Sequence, residues 1–332
     1  MKKLLLGFLL LLVGCTQQSD TVEWHMPTPY SDGVFHTQNI LHFVEDVETL
    51  TEGKFIIHVH SGASVFKHPE IKRAVRSAQV PIGEILISLL GNEDPLFQVD
   101  VLPLLATNYD QAQKLWMISR QEIEKVLAQQ NLQLLYAVPW PPQGLYVKRE
   151  INNLDDISGL KIRAYNAMLS RLVQLMGGIP TTVESPEIAQ AFSTGVIDAM
   201  MTSPSTGVSS QSWDYVSHYY DFQAWIPKNM VIVNKKAFER LEPSLQNKLL
   251  QAAQEAEQRG WAMSEKETAE KTQILMDHGI QVMKPSQELS EQLAQIRQQM
   301  AQEWEQKAGE LGKRILESYN NAQQQLISQN SH

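Results

Sequence analysis

Two hydrophobic periods alternate along the chain. Val22 to Met26 reads as a strand, and Pro27, Pro29, Ser31, Asp32 and Gly33 then form a loop. Ile40, Phe43, Val44, Val47 and Leu50 recur at helical spacing, and Gly53 closes that helix. Phe55, Ile57 and Val59 alternate with Ile56, His58 and His60 as a strand. Pro69 opens a helix whose apolar face is Ile71, Ala74, Val75 and Ala78, and Ile85 to Leu90 reads as a buried strand. Strand and helix in this order predict βαβ units, an α/β fold and a largely parallel sheet.

Leu134 to Val138 is a further strand, followed by Pro139-Trp140-Pro141-Pro142-Gln143-Gly144. Three prolines continue neither a helix nor a central strand, so this stretch reads as a crossover into a second lobe. The alternation then resumes. Strands are expected at Leu145 to Val147, Leu160 to Arg163 and Val196 to Met201. Helices are expected from Ala167 to Met176 and from Pro186 to Thr194. Asn229 to Val233 reads as a return strand into the first lobe. Leu245, Leu249, Ala252 and Ala256 share a helix face that ends at His278-Gly279. Leu289, Leu293, Ile296, Met300 and Trp304 mark a long amphipathic helix.

The first fifteen residues add a location. Lys2 and Lys3 precede an apolar run from Leu4 to Val13 broken only by Gly7. Ten helical residues rise about 15 Å, half a bilayer core, so the run reads as a signal peptide rather than a span. It ends in Leu12-Val13-Gly14-Cys15, which resembles a bacterial lipobox with Cys15 as the lipidated residue. Cys15 is the only cysteine of the 332-residue chain, so a mature fold without disulfides is expected. Expected divisions are a signal peptide at 1–14 and a lipidated tether at 15–21. Lobe I then takes 22–140 plus about 229–268, and lobe II takes 141–228 plus about 269–325.

Charge and motifs exclude several functions. The formal charge is −9 without basic clusters, which argues against a nucleic-acid partner. No phosphate loop, Gly-x-Gly-x-x-Gly, His-Glu-x-x-His or Gly-x-Ser-x-Gly is present, so neither a catalytic constellation nor a cofactor is expected. His58 and His60 share a strand face. Without other ligand types at metal spacing they read as solvated, and no metal site is assigned. Asn92-Glu93-Asp94 before Pro95 reads as a capped turn.

The central segment is more specific. Gly159-Leu160-Lys161-Ile162-Arg163, Gly177-Gly178-Ile179-Pro180 and Glu187-Ile188-Ala189-Gln190-Ala191-Phe192-Ser193-Thr194-Gly195-Val196-Ile197-Asp198 occur in that order. They resemble the central block of solute-binding proteins of TRAP (tripartite ATP-independent periplasmic) transporters. The resemblance implies a two-lobed, periplasmic-binding-protein-like α/β fold with a hinge cleft and long C-terminal helices. It also implies an extracytoplasmic receptor that captures a small organic acid by lobe closure and delivers it to a membrane permease. It places the family's carboxylate-binding arginine on Arg163, a role that suits the planar guanidinium fork. A second family arginine falls on Gln143 or its neighbour Gly144, which points to a ligand with one carboxylate. The family's pocket asparagine falls on Thr202, beside Ser203. A pocket aromatic falls on Ser185, beside Glu184.

Tyr30, Trp140, Tyr165 and Trp225 stand in loops around these positions. They suit an apolar or aromatic ligand body, although Trp140 and Trp225 can equally pack the hinge. A periplasmic hydrolase or isomerase, or a ligand sensor, on the same scaffold stays an open alternative.

Overall fold

The structure, a computed structural model, describes residues 21–329. The candidate lipid-bearing Cys15 and its leader lie outside them. The chain opens with β1 (Val22–Pro27), α1 (Phe35–Leu50), β2 (Phe55–His60), α2 (His68–Arg76) and β3 (Ile82–Leu86). Ile40, Phe43 and Val47 make the buried stripe of α1, and Gly53 takes the left-handed φ of 74° that turns the chain into β2. The expected strand to Leu90 stops at Leu86, and Ile87–Leu90 is a 3-10 turn. Leu86 is the last residue of β3 with a partner on the neighbouring strand, so beyond it nothing continues the ladder. α3 (Tyr109–Gln129) occupies a stretch to which the hydrophobic pattern assigns no element, and β4 (Leu132–Pro139) follows.

Past the prolines come β5 (Gly144–Val147), β6 (Lys161–Ala164), α4 (Ala167–Leu175), β7 (Ile179–Thr182) and α5 (Ile188–Ser193). Next are β8 (Ala199–Thr202), α6 (Pro204–Ser209) and β9 (His218–Tyr220). β8 starts three residues later than expected, because Gly195 turns with φ 69° and Val196 is exposed. The chain returns through β10 (Lys228–Asn234) to α7 (Lys235–Glu239), α8 (Pro243–Asp277), β11 (Gln281–Met283) and α9 (Gln287–Gln329).

β1 and β2 pair in parallel, and β10 lies between β3 and β4. The second sheet has the order β11-β9-β5-β8-β6-β7. Neither larger sheet is largely parallel: the three-stranded one is antiparallel and the six-stranded one is mixed. β10 is antiparallel to β3 and β4, and β5 is antiparallel to β8 and β9. The hinge explains β10. β4 leaves its sheet at Pro139 and β10 enters opposite it at Lys228, so the two strands meet at one end and run in opposite senses.

Two lobes result, with the crossovers between them hydrogen-bonded to each other. Trp140 N donates to Pro227 O at 2.8 Å, and Gln143 N donates to Trp225 O at 3.0 Å. α8 packs on α1 and β4 and then on α6 and β11, so one helix of 35 residues spans both lobes. α9 packs on α3 and α4, with Trp304 Nε1 donating to Pro95 O at 2.7 Å, and breaks at Gly309. No helix among the described residues is long and apolar enough to cross a membrane.

Candidate ligand-binding site

A cleft with a cavity volume of about 50 Å³ lies where the lobes meet. Its lobe II floor is built around Arg163, the third residue of β6, paired between Thr181 of β7 and Met200 of β8. The Arg163 side chain is 4% exposed. Its Nε donates to Val183 O at 2.8 Å, and its guanidinium carbon sits 5.4 Å from the Tyr165 ring centre. Among the described residues no acceptor pairs with its two terminal nitrogens, and no carboxylate lies within ion-pair distance. Burial lowers its pKa, opposed by the fields of Tyr165, Glu184 and Tyr30. The cation is therefore held desolvated, with two parallel donors unused, which is the arrangement a carboxylate completes.

Gln143, where the second family arginine would fall, is occupied internally. Its Nε2 donates to Pro141 O at 2.8 Å, and its Oε1 accepts Tyr165 Oη at 3.1 Å. Gly144 offers no room for that arginine either: a Cβ there would stand 2.4 Å from both the Tyr219 ring and Tyr220 O. Gln143 thus orients Tyr165 instead of supplying a charge. Trp225 does not line the cleft. It is 1% exposed and stands behind the wall, its Nε1 donating to Tyr165 Oη at 3.1 Å. Trp140 and Tyr30 do line it, edge to face with ring centres 5.0 Å apart.

Thr202 and Ser203 both reach the cleft, at the end of β8. The Ser203 hydroxyl is engaged as the N-cap of α6, accepting Thr206 N at 3.2 Å. No partner holds the Thr202 hydroxyl among the described residues, so it is free to meet a ligand. Glu184 and Ser185 lie on the same wall. Glu184 is half-buried, and burial raises its pKa while the Arg163 cation pulls it down.

The sequence reading missed His68, Leu86, Leu89, Thr206 and Pro227, all of which line the cleft. His68 accepts Leu86 N on its Nε2 at 3.0 Å, so the neutral ring carries its proton on Nδ1. Burial holds its pKa down to about 4, opposed by Glu84 and reinforced by Arg163, so it stays a neutral donor. Its one sequence signal is position. It opens the helix after a strand, where α/β lobes present ligand groups.

His58 and His60 are on the outer face of β2, away from the cleft. His60 Nε2 lies 2.9 Å from His25 Nδ1, and His58 Nε2 lies 3.2 Å from Glu23 Oε2. Among the described residues no three metal-ligating side chains are placed to hold an ion.

A profile of the bacterial extracellular solute-binding protein family 7, DctP, matches residues 30–310. The chain belongs to this family. Among solved structures, the Bordetella pertussis extracytoplasmic solute receptor DctP7, which binds pyroglutamic acid, is 44% identical with a TM-score of 0.89. That match covers 90% of this chain and 100% of DctP7. A marine-metagenome TRAP solute-binding protein specific for pyroglutamate is 36% identical, also with a TM-score of 0.89, covering 91% of this chain and 99% of the other. A solute-binding protein of Chromohalobacter salexigens is 25% identical over 287 residues, 84% of this chain and 83% of its own. The chain is thus a TRAP-type solute receptor by family, and its fold is that of these receptors.

Proposed function

We propose that this receptor captures a small monocarboxylate that also carries an N–H group, with L-pyroglutamate as the leading ligand. The observation that carries the reading is Arg163, buried in the cleft with both terminal nitrogens unpaired. One cation and no second arginine match one carboxylate. Glu184 on the same wall repels a second carboxylate and accepts an N–H. Pyroglutamate has one carboxylate, one lactam N–H and one lactam carbonyl. The Thr202 hydroxyl and His68 Nδ1–H are neutral donors suited to that carbonyl. DctP7 and the marine protein, both named for this ligand, support the choice.

Arg163, Tyr30, Trp140, Tyr165, Thr202 and Ser203 form the proposed site, and Gln143 and Trp225 buttress Tyr165. The lobes divide at 22–140 with about 229–268, and 141–228 with about 269–325. They close about the paired crossovers, and the closed form docks on a TRAP permease. Cys15 anchors the receptor to the membrane from the periplasmic side, and it delivers its ligand without transforming it.

Calorimetry with L-pyroglutamate, L-proline, succinate and propionate tests the reading. Pyroglutamate is expected to bind at least about tenfold more tightly than the others, since each lacks one partner or adds an unwanted charge. Tighter binding of succinate than of pyroglutamate would overturn the assignment.

A further inference from the structure

Behind the lobe I wall lies a carboxylate that does not line the cleft. Glu84, on β3, is buried. Its Oε2 accepts the Thr28 hydroxyl. Its Oε1 accepts Asn229 Nδ2 at 2.8 Å and lies 3.3 Å from His36 Nδ1. Burial pushes its pKa up, but His36, Thr28 and Asn229 together hold it below the ordinary glutamate value, so it is ionised. The other end of the Asn229 amide faces the cleft wall. Its Oδ1 accepts Trp140 Nε1 at 2.9 Å and Tyr30 Oη at 3.4 Å.

We propose that Glu84 is a positioning residue for ligand recognition, holding Asn229 by its NH₂ so that the amide oxygen takes the Tyr30 and Trp140 donors and Tyr30 faces the cleft as an acceptor. The chemistry permits one arrangement. An ionised carboxylate only accepts, and an indole N–H only donates. Asn229 between them must therefore point its NH₂ at Glu84 and its oxygen at Trp140. Tyr30 then gives its proton to the same oxygen, and towards a ligand its own oxygen can only accept. The Tyr30 oxygen is thereby fixed as an acceptor on the cleft wall, able to share the one lactam N–H with Glu184. The His36 ring lies against Trp140, with centres 4.3 Å apart, and its buried Nε2 has no partner among the described residues.

The inference rests on the ligand reading above for its role in affinity, but not for its role in the wall. Glu84→Gln places an NH₂ where the carboxylate stood. Its carbonyl can still face Asn229, with that NH₂ turned to the Thr28 hydroxyl, so this variant by itself keeps the Asn229 orientation. Asn229→Asp sets two carboxylates face to face. The double variant Glu84→Gln with Asn229→Asp restores donor to acceptor throughout, with His36 exchanging its tautomer.

Two readouts follow on the full receptor. The first is the Trp140 indole N–H resonance in ligand-free protein, identified by Trp140→Phe. It is expected to stay close to the parent's in Glu84→Gln, to shift in Asn229→Asp and to return in the double variant. The second is calorimetry with L-pyroglutamate. Asn229→Asp is expected to bind at least about tenfold more weakly, and Glu84→Gln and the double variant within about threefold of the parent. An unmoved indole resonance in folded Asn229→Asp, or a double variant no better than Asn229→Asp, overturns the proposal. If Asn229→Asp does not fold, the double variant decides. Folded with parental affinity and indole shift, it supports the relay; folded with tenfold weaker binding, it refutes it. If the parent does not bind L-pyroglutamate, the ligand reading fails while the indole resonance still decides the relay.

Discussion

Arg163 is the position where a single substitution should say most. Its guanidinium is already desolvated in the fold, held by Val183 O and the Tyr165 ring, with two donors left over. The desolvation cost is therefore met on folding, and a ligand carboxylate gains two charge-assisted hydrogen bonds against a preorganised fork. Truncating one partner of such a pair costs about 2–5 kcal/mol, or roughly 30- to several-thousand-fold in affinity. Arg163→Ala should lie in that range, and Arg163→Lys should lose much of the affinity because an ammonium cannot reproduce the planar fork. The ligand-free protein should respond the other way. Arg163→Met removes a buried, unpaired charge while roughly keeping the volume, so its thermal midpoint should be no lower than the parent's. Calorimetry and thermal unfolding with and without L-pyroglutamate measure both effects. Binding by Arg163→Ala within about threefold of the parent, under ~1 kcal/mol, would refute the carboxylate-anchor argument.

Three further outcomes are expected. If ionised Glu184 accepts the ligand N–H, affinity should be full at neutral pH and fall as pH drops through its raised pKa, beginning above the ordinary glutamate range. Glu184→Gln should abolish that dependence, and an unchanged acid limb in calorimetric titrations would contradict it. Gly260→Ala should destabilise the fold although it sits inside α8, because its Cβ would stand 2.4 Å from Val138 and 2.8 Å from Asn39. Overpacking of about 1–3 kcal/mol outweighs a helix-propensity gain of about 1 kcal/mol, which urea unfolding can measure. If Cys15 is lipidated as proposed, Cys15→Ser should release the receptor from membranes, since two acyl chains would supply the stable anchor; fractionation showing undiminished membrane association would rule the lipobox out.

Residues close in the sequence carried much of this protein's organisation. The period-3.6 stripe of α1, the alternation of β2 and the prolines after β4 were legible because each depends on neighbours within a few residues. Arg163 was legible because its motif surrounds it. The strand directions were not, because whether β10 runs with or against β4 depends on where the chain re-enters the lobe, some ninety residues after leaving it. The roles of Gln143 and Trp225 were likewise decided in space. Both belong to the expected neighbourhood, yet each spends its polar groups on Tyr165 or the adjoining main chain rather than on a ligand. His68 and Glu84 left almost no local signal, one a histidine before a proline and the other a glutamate within an apolar strand. They became meaningful only when β1, β3 and β10 brought Thr28, Glu84 and Asn229 together. Local sequence sets which elements form, since their energetics are short-ranged. Which side chain keeps a free donor is a balance over all its partners, and only the folded chain assembles them.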